Sequence, residues 1–287
     1  MKLQTPVEIA RSRISFTFDD KILLLGSCFS DNIGTIMKNM GFDVLVNPFG
    51  TLYNPVSVCN SIHRLDCAVP FGEDECVMMG AGSNLICSFS HHTAAARADA
   101  GKFLSDANAG LSSASAFFRN SSIIIITLGT AWTFKFNATG EIVSNCLKRD
   151  AKEFTRERLS PKVCSMLLNS LADKYPDKRF IFTVSPIRHL KDGAHGNQIS
   201  KSTLLLAEED VTSAHPDRCC YFPAYEIMMD ELRDYRFYAE DMVHPSAQAV
   251  NYIWERFCDF ALAETERPRL EKNRKLFLQS QHRQITL

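Results

Sequence analysis

Two short stretches hold residue types that could do covalent chemistry. Gly26-Ser27-Cys28-Phe29-Ser30 sets two hydroxyls and a thiol directly after the apolar run Ile22-Leu23-Leu24-Leu25. That run reads as a strand buried on both faces of a parallel sheet. Ile33, Ile36, Met37 and Met40 then recur at helical spacing, and Gly41 stands where a helix would end. The small polar turn therefore joins a strand's carboxyl end to a helix N-terminus. Open α/β sheets bind ligands at such strand ends. The helix start adds free N–H groups and the positive end of a dipole, which favour an anion. The plain alternative is a tight turn in which Ser27 or Ser30 caps the helix.

The second stretch is Asp241-Met242-Val243-His244-Pro245-Ser246. An Asp and a His three apart can meet on one turn. The carboxylate then fixes the imidazole tautomer and leaves Nε2 free to take a proton from a nucleophile. The plain alternative is that both cap the helix that follows. Weaker candidates accompany these. Arg188-His189 follows a strand end, and Arg188 suits a carboxylate, phosphate or sugar hydroxyl. Trp132 could stack on a sugar ring or fill the core. His91-His92 has no spaced partners of the kind metal sites use, so no metal is expected.

The positioning elements alternate along the chain. Phe42–Val46 reads as a second strand, and Pro55 opens a helix carrying Val58, Ile62 and Leu65. Val77–Met79 and Leu85–Cys87 read as short strands. Leu104, Ala107, Leu111, Ala114 and Phe118 mark an amphipathic helix. Ile123–Leu128 is the clearest buried strand. Trp132–Phe136 and Glu141–Val143 flank a turn and read as an appended hairpin. Ser160-Pro161 starts a helix, Arg179–Val184 is a strand, a helix spans about 199–214, and Cys219–Phe222 is a short strand. Helices are expected over Pro223–Leu232 and from His244-Pro245 onward. The pattern predicts an α/β fold, a doubly wound three-layer sandwich with a mostly parallel sheet. One domain is expected over residues 1–265, its first 20 residues forming an edge segment. A charged tail over 266–287 would be a peripheral helix or partly disordered.

Composition narrows the class. The 287 residues are 45% hydrophobic and 23% charged with a net charge of −1, so no basic excess points to nucleic acid or an anionic membrane. The 10 cysteines are scattered, with no C-x-x-C pair, which argues against a zinc knuckle and for free thiols. Met1–Pro6 lacks the apolar centre of a signal peptide, and no run has the length of a membrane span. A cytoplasmic protein is expected.

The motifs together resemble the SGNH (GDSL-type) hydrolase superfamily, and Gly26-Ser27-Cys28-Phe29-Ser30 resembles the signature that names the bacterial GSCFA family grouped with it. Similar in kind are Asn47-Pro48-Phe49-Gly50-Thr51, Leu128-Gly129-Thr130-Ala131-Trp132, Thr183–Leu190, Tyr221–Glu226 and Asp234–Tyr238. The resemblance spans about Leu24 to Phe257. It implies acyl transfer with His244 as base and Asp241 as its orienter. In register, Cys28 takes the nucleophile's place and Ser27 that of the superfamily's aspartate. A shift of one residue would make Ser27 the nucleophile. Beside a helix N-terminus and His244, the Cys28 thiol could be a thiolate at neutral pH; the plain alternative is a small buried hydrophobe.

The resemblance makes Gly50 an oxyanion donor. The block at Gly129-Thr130-Ala131 lacks the superfamily's Asn, so Thr130, Asn47 or Asn54 would have to substitute. Asn47, Trp132, Arg188 and His189 are the candidate substrate contacts. The implied substrate is a small-molecule or carbohydrate ester, with no cofactor. The competing readings are a sugar- or acyl-binding protein without turnover and a cysteine-dependent thioesterase.

Overall fold

The computed structural model describes residues 5–284. In chain order the strands and helices are β1 (Lys21–Gly26), α1 (Cys28–Asn39), β2 (Asp43–Val46), α2 (Pro55–Cys67), β3 (Val77–Met78), β4 (Ile86–Cys87), α3 (Ala100–Asn120), β5 (Ile123–Leu128), β6 (Trp132–Phe136), β7 (Ile142–Val143), β8 (Phe154–Arg158), α4 (Pro161–Lys174), β9 (Arg179–Val184), α5 (Gly193–Ala214), β10 (Cys219–Tyr221), α6 (Ala224–Glu226), α7 (Ala247–Ala261) and α8 (Arg267–Gln284).

Five strands form an all-parallel sheet in the order β10-β9-β5-β1-β2. The fold is the expected doubly wound α/β sandwich. Alternate residues of the strands serve opposite layers. Ile22, Leu24, Ile123, Ile125 and Ile181 join the core under α1 and α7. Leu23, Leu25, Ile124, Ile126, Phe180 and Phe182 join the core under α2 to α5. Continuous aliphatic runs are what two covered faces require. The order reverses between β1 and β5, so their carboxyl ends open the crevice where ligands bind in such sheets. Gly26 lies on that line with φ +136°, and a Cβ there would stand 2.1 Å from the Thr127 carbonyl oxygen. Only glycine lets the strands stay this close.

Four expectations need correction. The appended hairpin is a three-stranded antiparallel sheet, β7-β6-β8. Its third strand, Phe154-Thr155-Arg156-Glu157-Arg158, buries Phe154 alone, so its sequence lacks an apolar stripe. The helix expected over Pro223–Leu232 is one short turn followed by a π turn at Ile227–Glu231. The helix expected from about 199 already starts at Gly193. The helix expected from His244 starts at Ala247, with Ser246 Oγ accepting from the Ala249 N–H at 3.3 Å. That leaves Asp241–His244 in a turn.

Ile14, Phe16 and Phe18 of the first segment are buried, and Phe16 bridges Leu262. Helix α8 is held by Asn273 Nδ2 donating to the Met40 carbonyl at 2.7 Å and by buried Leu270. The first four residues of the expected edge segment and the last three of the tail lie outside the described residues. No described helix is long and apolar enough to cross a membrane.

Candidate active site

Strand β1 delivers Ser27 and Cys28 to the crevice, and the two side chains part company there. Ser27 caps α1, its Oγ accepting from the Phe29 N–H at 3.3 Å. The same hydroxyl donates to Ser185 Oγ, just past β9, at 3.0 Å. It is 1% exposed. Cys28 is half-buried and opens the first turn of the helix. Of the two candidate nucleophiles, Cys28 is therefore the less buried, and it packs against the core under α1 and α7.

The expected neutral-pH thiolate is not supported. Burial pushes the Cys28 thiol up, and the carboxylate of Asp31 adds to the effect. The N–H groups of Cys28 and Phe29 and the ammonium of Lys201 pull the other way without overcoming it. Asp31 itself is pushed up by burial, and it accepts from Asn47 Nδ2 at 2.8 Å.

Asp241 and His244 meet as their spacing suggests. The ring Nδ1 lies 2.6 Å from Asp241 Oδ2, while Oδ1 accepts the N–H groups of Val243 and His244 at 2.9 Å each. These bonds, first the His244 and then the Val243 backbone N–H, hold the Asp241 carboxyl down to about 2. Met242, between them, takes φ +58°, the left-handed turn that brings the two side chains together. One short segment ties this turn to the nucleophile turn. Ser185 bonds Ser27 at one end, and the Arg188 N–H donates to the Val243 carbonyl at 3.3 Å at the other. Three residue steps span at most about 11 Å, so Cys28 and His244 share one edge of the sheet. Among the described residues His244 makes no hydrogen bond to Ser27 or Cys28.

The remaining expected contacts are mostly committed elsewhere. The Gly50 N–H donates to the Asn47 carbonyl at 2.7 Å, which closes a turn rather than facing the crevice. A Cβ on Gly50 would stand 2.2 Å from His92 Cβ, and its φ is +89°; the glycine serves packing. Thr130 Oγ1 pairs with Ser200 Oγ at 2.9 Å and accepts the Trp132 N–H at 3.1 Å. The Gly50 N–H is thus taken, and the Thr130 hydroxyl is engaged with Ser200 and Trp132. Asn47, φ +41°, is buried, its Oδ1 accepting from the Gly26 N–H at 2.8 Å while its Nδ2 reaches Asp31. It braces the turn instead of meeting a ligand. Asn54 Oδ1 caps α2.

Trp132 has one face covered by the Arg156 guanidinium, 4.1 Å from its centroid, and Arg156 is in turn bonded to Asp192. His189 packs its ring beside Gly129, at the end of β5, and edge-on to Tyr53. Its Nε2 has no hydrogen-bond partner and would lie 3.4 Å from a Cβ on Gly129. Burial, then the nearby Lys201 charge, lowers His189 to about 4, so it is neutral at pH 7. His91 is a core residue, its Nδ1 2.7 Å from Ser88 Oγ and its ring against Phe71. Among the described residues no group of three His, Cys, Asp or Glu could hold a metal.

Sequence reasoning missed Lys201, Ser185, Asp31 and Tyr53. Lys201 is 1% exposed, and its Nζ donates to the carbonyls of Gly129 at 2.7 Å and Ser185 at 2.8 Å. It clamps the ends of β5 and β9, and burial lowers it to about 7. A signal existed: Lys201, Leu204, Glu208 and Val211 share the buried stripe of α5, and charges on an apolar stripe are rarely idle. The Tyr53 carbonyl accepts the N–H groups of both Gly129 and Thr130 at 2.8 Å, fixing the third loop of the crevice.

The GSCFA family matches residues 21–257, and the chain belongs to this family. Among solved structures, the chain is similar to an alpha/beta hydrolase enzyme from the metagenome of Lake Arreo, Spain, at 9% identity and TM-score 0.47, covering 85% of this chain and 95% of that one. It is also similar to a family two carbohydrate esterase from Clostridium thermocellum at 14% identity and TM-score 0.39, covering 89% of this chain and 64% of that one. An acetyl xylan esterase from Butyrivibrio proteoclasticus shows 10% identity and TM-score 0.40, over 85% and 64% of the respective chains. No curated protein matches the sequence.

Proposed function

We propose that the chain is an ester hydrolase or acyl transferase that works through a thioester on Cys28. The observation that carries this reading is the Asp241–His244 pair, at 2.6 Å, on the same edge of the sheet as a half-buried thiol at a helix N-terminus. Asp241 holds the proton on Nδ1, which leaves Nε2 as the acceptor. As Cys28 Sγ attacks the acyl carbonyl, its proton passes to His244. The tetrahedral intermediate collapses, and the alcohol leaves with that proton. His244 then takes a proton from water, or from an acceptor hydroxyl, which attacks the thioester and frees Cys28. A thiol that is neutral at rest needs this base, consistent with the raised Cys28. Apo sites often hold nucleophile and base further apart than the reacting complex does. The helix N-terminus favours the oxyanion. Acetylated carbohydrate is the first substrate class to screen.

A second reading has its own support. With the Gly50 N–H committed and the Thr130 hydroxyl paired with Ser200, oxyanion stabilisation is thin, and losing one donor costs ~100–1000-fold in rate. A crevice of this kind suits a protein that binds an acyl or sugar group without turnover.

One experiment separates them: p-nitrophenyl acetate hydrolysis by wild type, Cys28→Ala, Ser27→Ala and His244→Ala, with mass spectrometry of the acylated protein. Loss in Cys28→Ala and His244→Ala, with an acetyl group on the Cys28 peptide of wild type, supports the enzyme. Equal rates in all four proteins overturn it in favour of the binding reading. Loss in Ser27→Ala alone, with the fold intact, returns the chemistry to serine.

A further inference from the structure

A second recess lies behind the Asp241–His244 turn. It measures about 190 Å³ and is lined by Arg188, Arg233, Tyr235, Tyr238, Met228 and Leu232, with Met229 and Asp234 completing the wall. Met228 and Leu232 are buried and make the floor apolar. Two guanidinium groups and two phenols line it above that floor. The single acid is already taken: Asp234 Oδ1 accepts the Arg236 N–H at 3.0 Å, and Oδ2 lies 3.6 Å from Arg236 Nε. Among the described residues neither Arg188 nor Arg233 has a carboxylate partner. The Arg188 guanidinium sits 4.8 Å from the Tyr238 ring centroid, so the aromatic face holds it in place. The wall itself includes the π turn Ile227–Glu231, a costly local geometry that recurs at functional sites.

The recess is also bonded to the candidate catalytic turn. The Arg188 N–H donates to Val243, the Ala239 N–H to the His244 carbonyl at 2.8 Å, and the Ser246 N–H to the Phe237 carbonyl at 2.7 Å. Tyr238 bridges Pro245. An occupant would therefore press on the strand of chain that carries His244.

We propose that this recess binds a small ligand bearing a carboxylate on an apolar or aromatic body. The planar guanidinium fork matches a carboxylate in shape and charge. The phenols donate to the same oxygens, and Met228 and Leu232 receive the body. Drug-sized ligands occupy pockets of roughly 300–1000 Å³, so a recess of about 190 Å³ takes something smaller, of benzoate size. The site stands apart from the hydrolase reading and does not need it. The carboxylate belongs either to an acidic substrate or to a separate ligand.

The test is titration of the ¹⁵N-labelled protein with benzoate and with its neutral isostere benzamide, followed by amide shifts. Wild type should show saturable shifts confined to residues 227–246 with benzoate, and about tenfold weaker binding of benzamide. Arg233→Gln, at an exposed position, and Arg188→Gln should each weaken benzoate by about tenfold. Equal binding of the two probes, shifts elsewhere on the protein, or indifference to both substitutions would overturn the proposal. Binding is read without turnover, so an inactive protein tests it equally well. Where hydrolysis is measurable, comparing p-nitrophenyl hemisuccinate with p-nitrophenyl acetate tells the sources apart. A fall in the hemisuccinate-to-acetate ratio of kcat/KM in Arg233→Gln assigns the carboxylate to the substrate. An unchanged ratio with benzoate binding lost assigns it to a separate ligand.

Discussion

Replacing Asp241 with Asn changes one acceptor into a donor while leaving the turn in place. Asp241 accepts three hydrogen bonds, two from backbone N–H groups at Oδ1 and one from the His244 ring at Oδ2. Asn keeps Oδ1 and both backbone bonds. Its amide nitrogen stands where Oδ2 stood and presents hydrogens to Nδ1. The ring then keeps its proton on Nε2 and cannot take one from Cys28. The expected loss is about 10²–10⁴-fold in kcat/KM, the range that general base catalysis supplies. Stability should hardly change, because the pair is half-exposed and exposed pairs contribute little. Asp241 is held at about 2, so its carboxylate stays charged throughout the working range, and any acid limb of the wild-type rate profile belongs to another group. The assay is p-nitrophenyl acetate hydrolysis against pH, with ¹⁵N spectra of the His244 ring to read the tautomer. Activity within about threefold of wild type, or a ring still protonated on Nδ1 in Asp241→Asn, would refute the reasoning.

Three further outcomes are expected. Ser27→Ala should keep the activity but lose about 1–2 kcal/mol of stability in urea unfolding, since a helix cap and the bond to Ser185 go together; full stability would mean the cap is idle. Cys28 should alkylate faster with iodoacetamide as pH rises from 7 to 9, because burial raises its thiol; a rate that has already levelled off by pH 7 would contradict the burial argument. Lys201, lowered to about 7 by burial, gives a pH signature. Above that pH the folded chain has released a proton that the unfolded chain keeps up to about 10.4. Stability through this group therefore rises with pH from about 7 to about 10, and wild type should gain on Lys201→Met across that window in urea unfolding. A difference that stays flat would remove Lys201 as the titrating group.

The elements were legible where one residue pattern served one purpose. Ile123–Leu128 is aliphatic throughout because β5 sits at the centre of the sheet with both faces covered. Strand β8 was not legible, because it pairs at the edge of a small sheet and buries one residue. The π turn at Ile227–Glu231 escaped notice because its sequence also suits a regular helix, and packing chose the wider turn. The Asp241–His244 pair could be read from spacing alone, since both partners lie on one turn.

What the sequence determined by itself was local: the buried strands, the polar turn between β1 and α1, and the carboxylate three residues ahead of the imidazole. These follow from side-chain period and chain connectivity. Tertiary structure decided how deeply each of the two adjacent candidate side chains is buried. Ser27 is buried because Ser185, 158 positions away, takes its hydroxyl. It also decided that Gly50 donates to Asn47 and that the Thr130 hydroxyl pairs with Ser200, and that Lys201 clamps two strand ends. Hydrogen bonds between distant segments are satisfied only once the chain has closed. The orientation of each donor is therefore a property of the packed molecule and not of its neighbours in sequence.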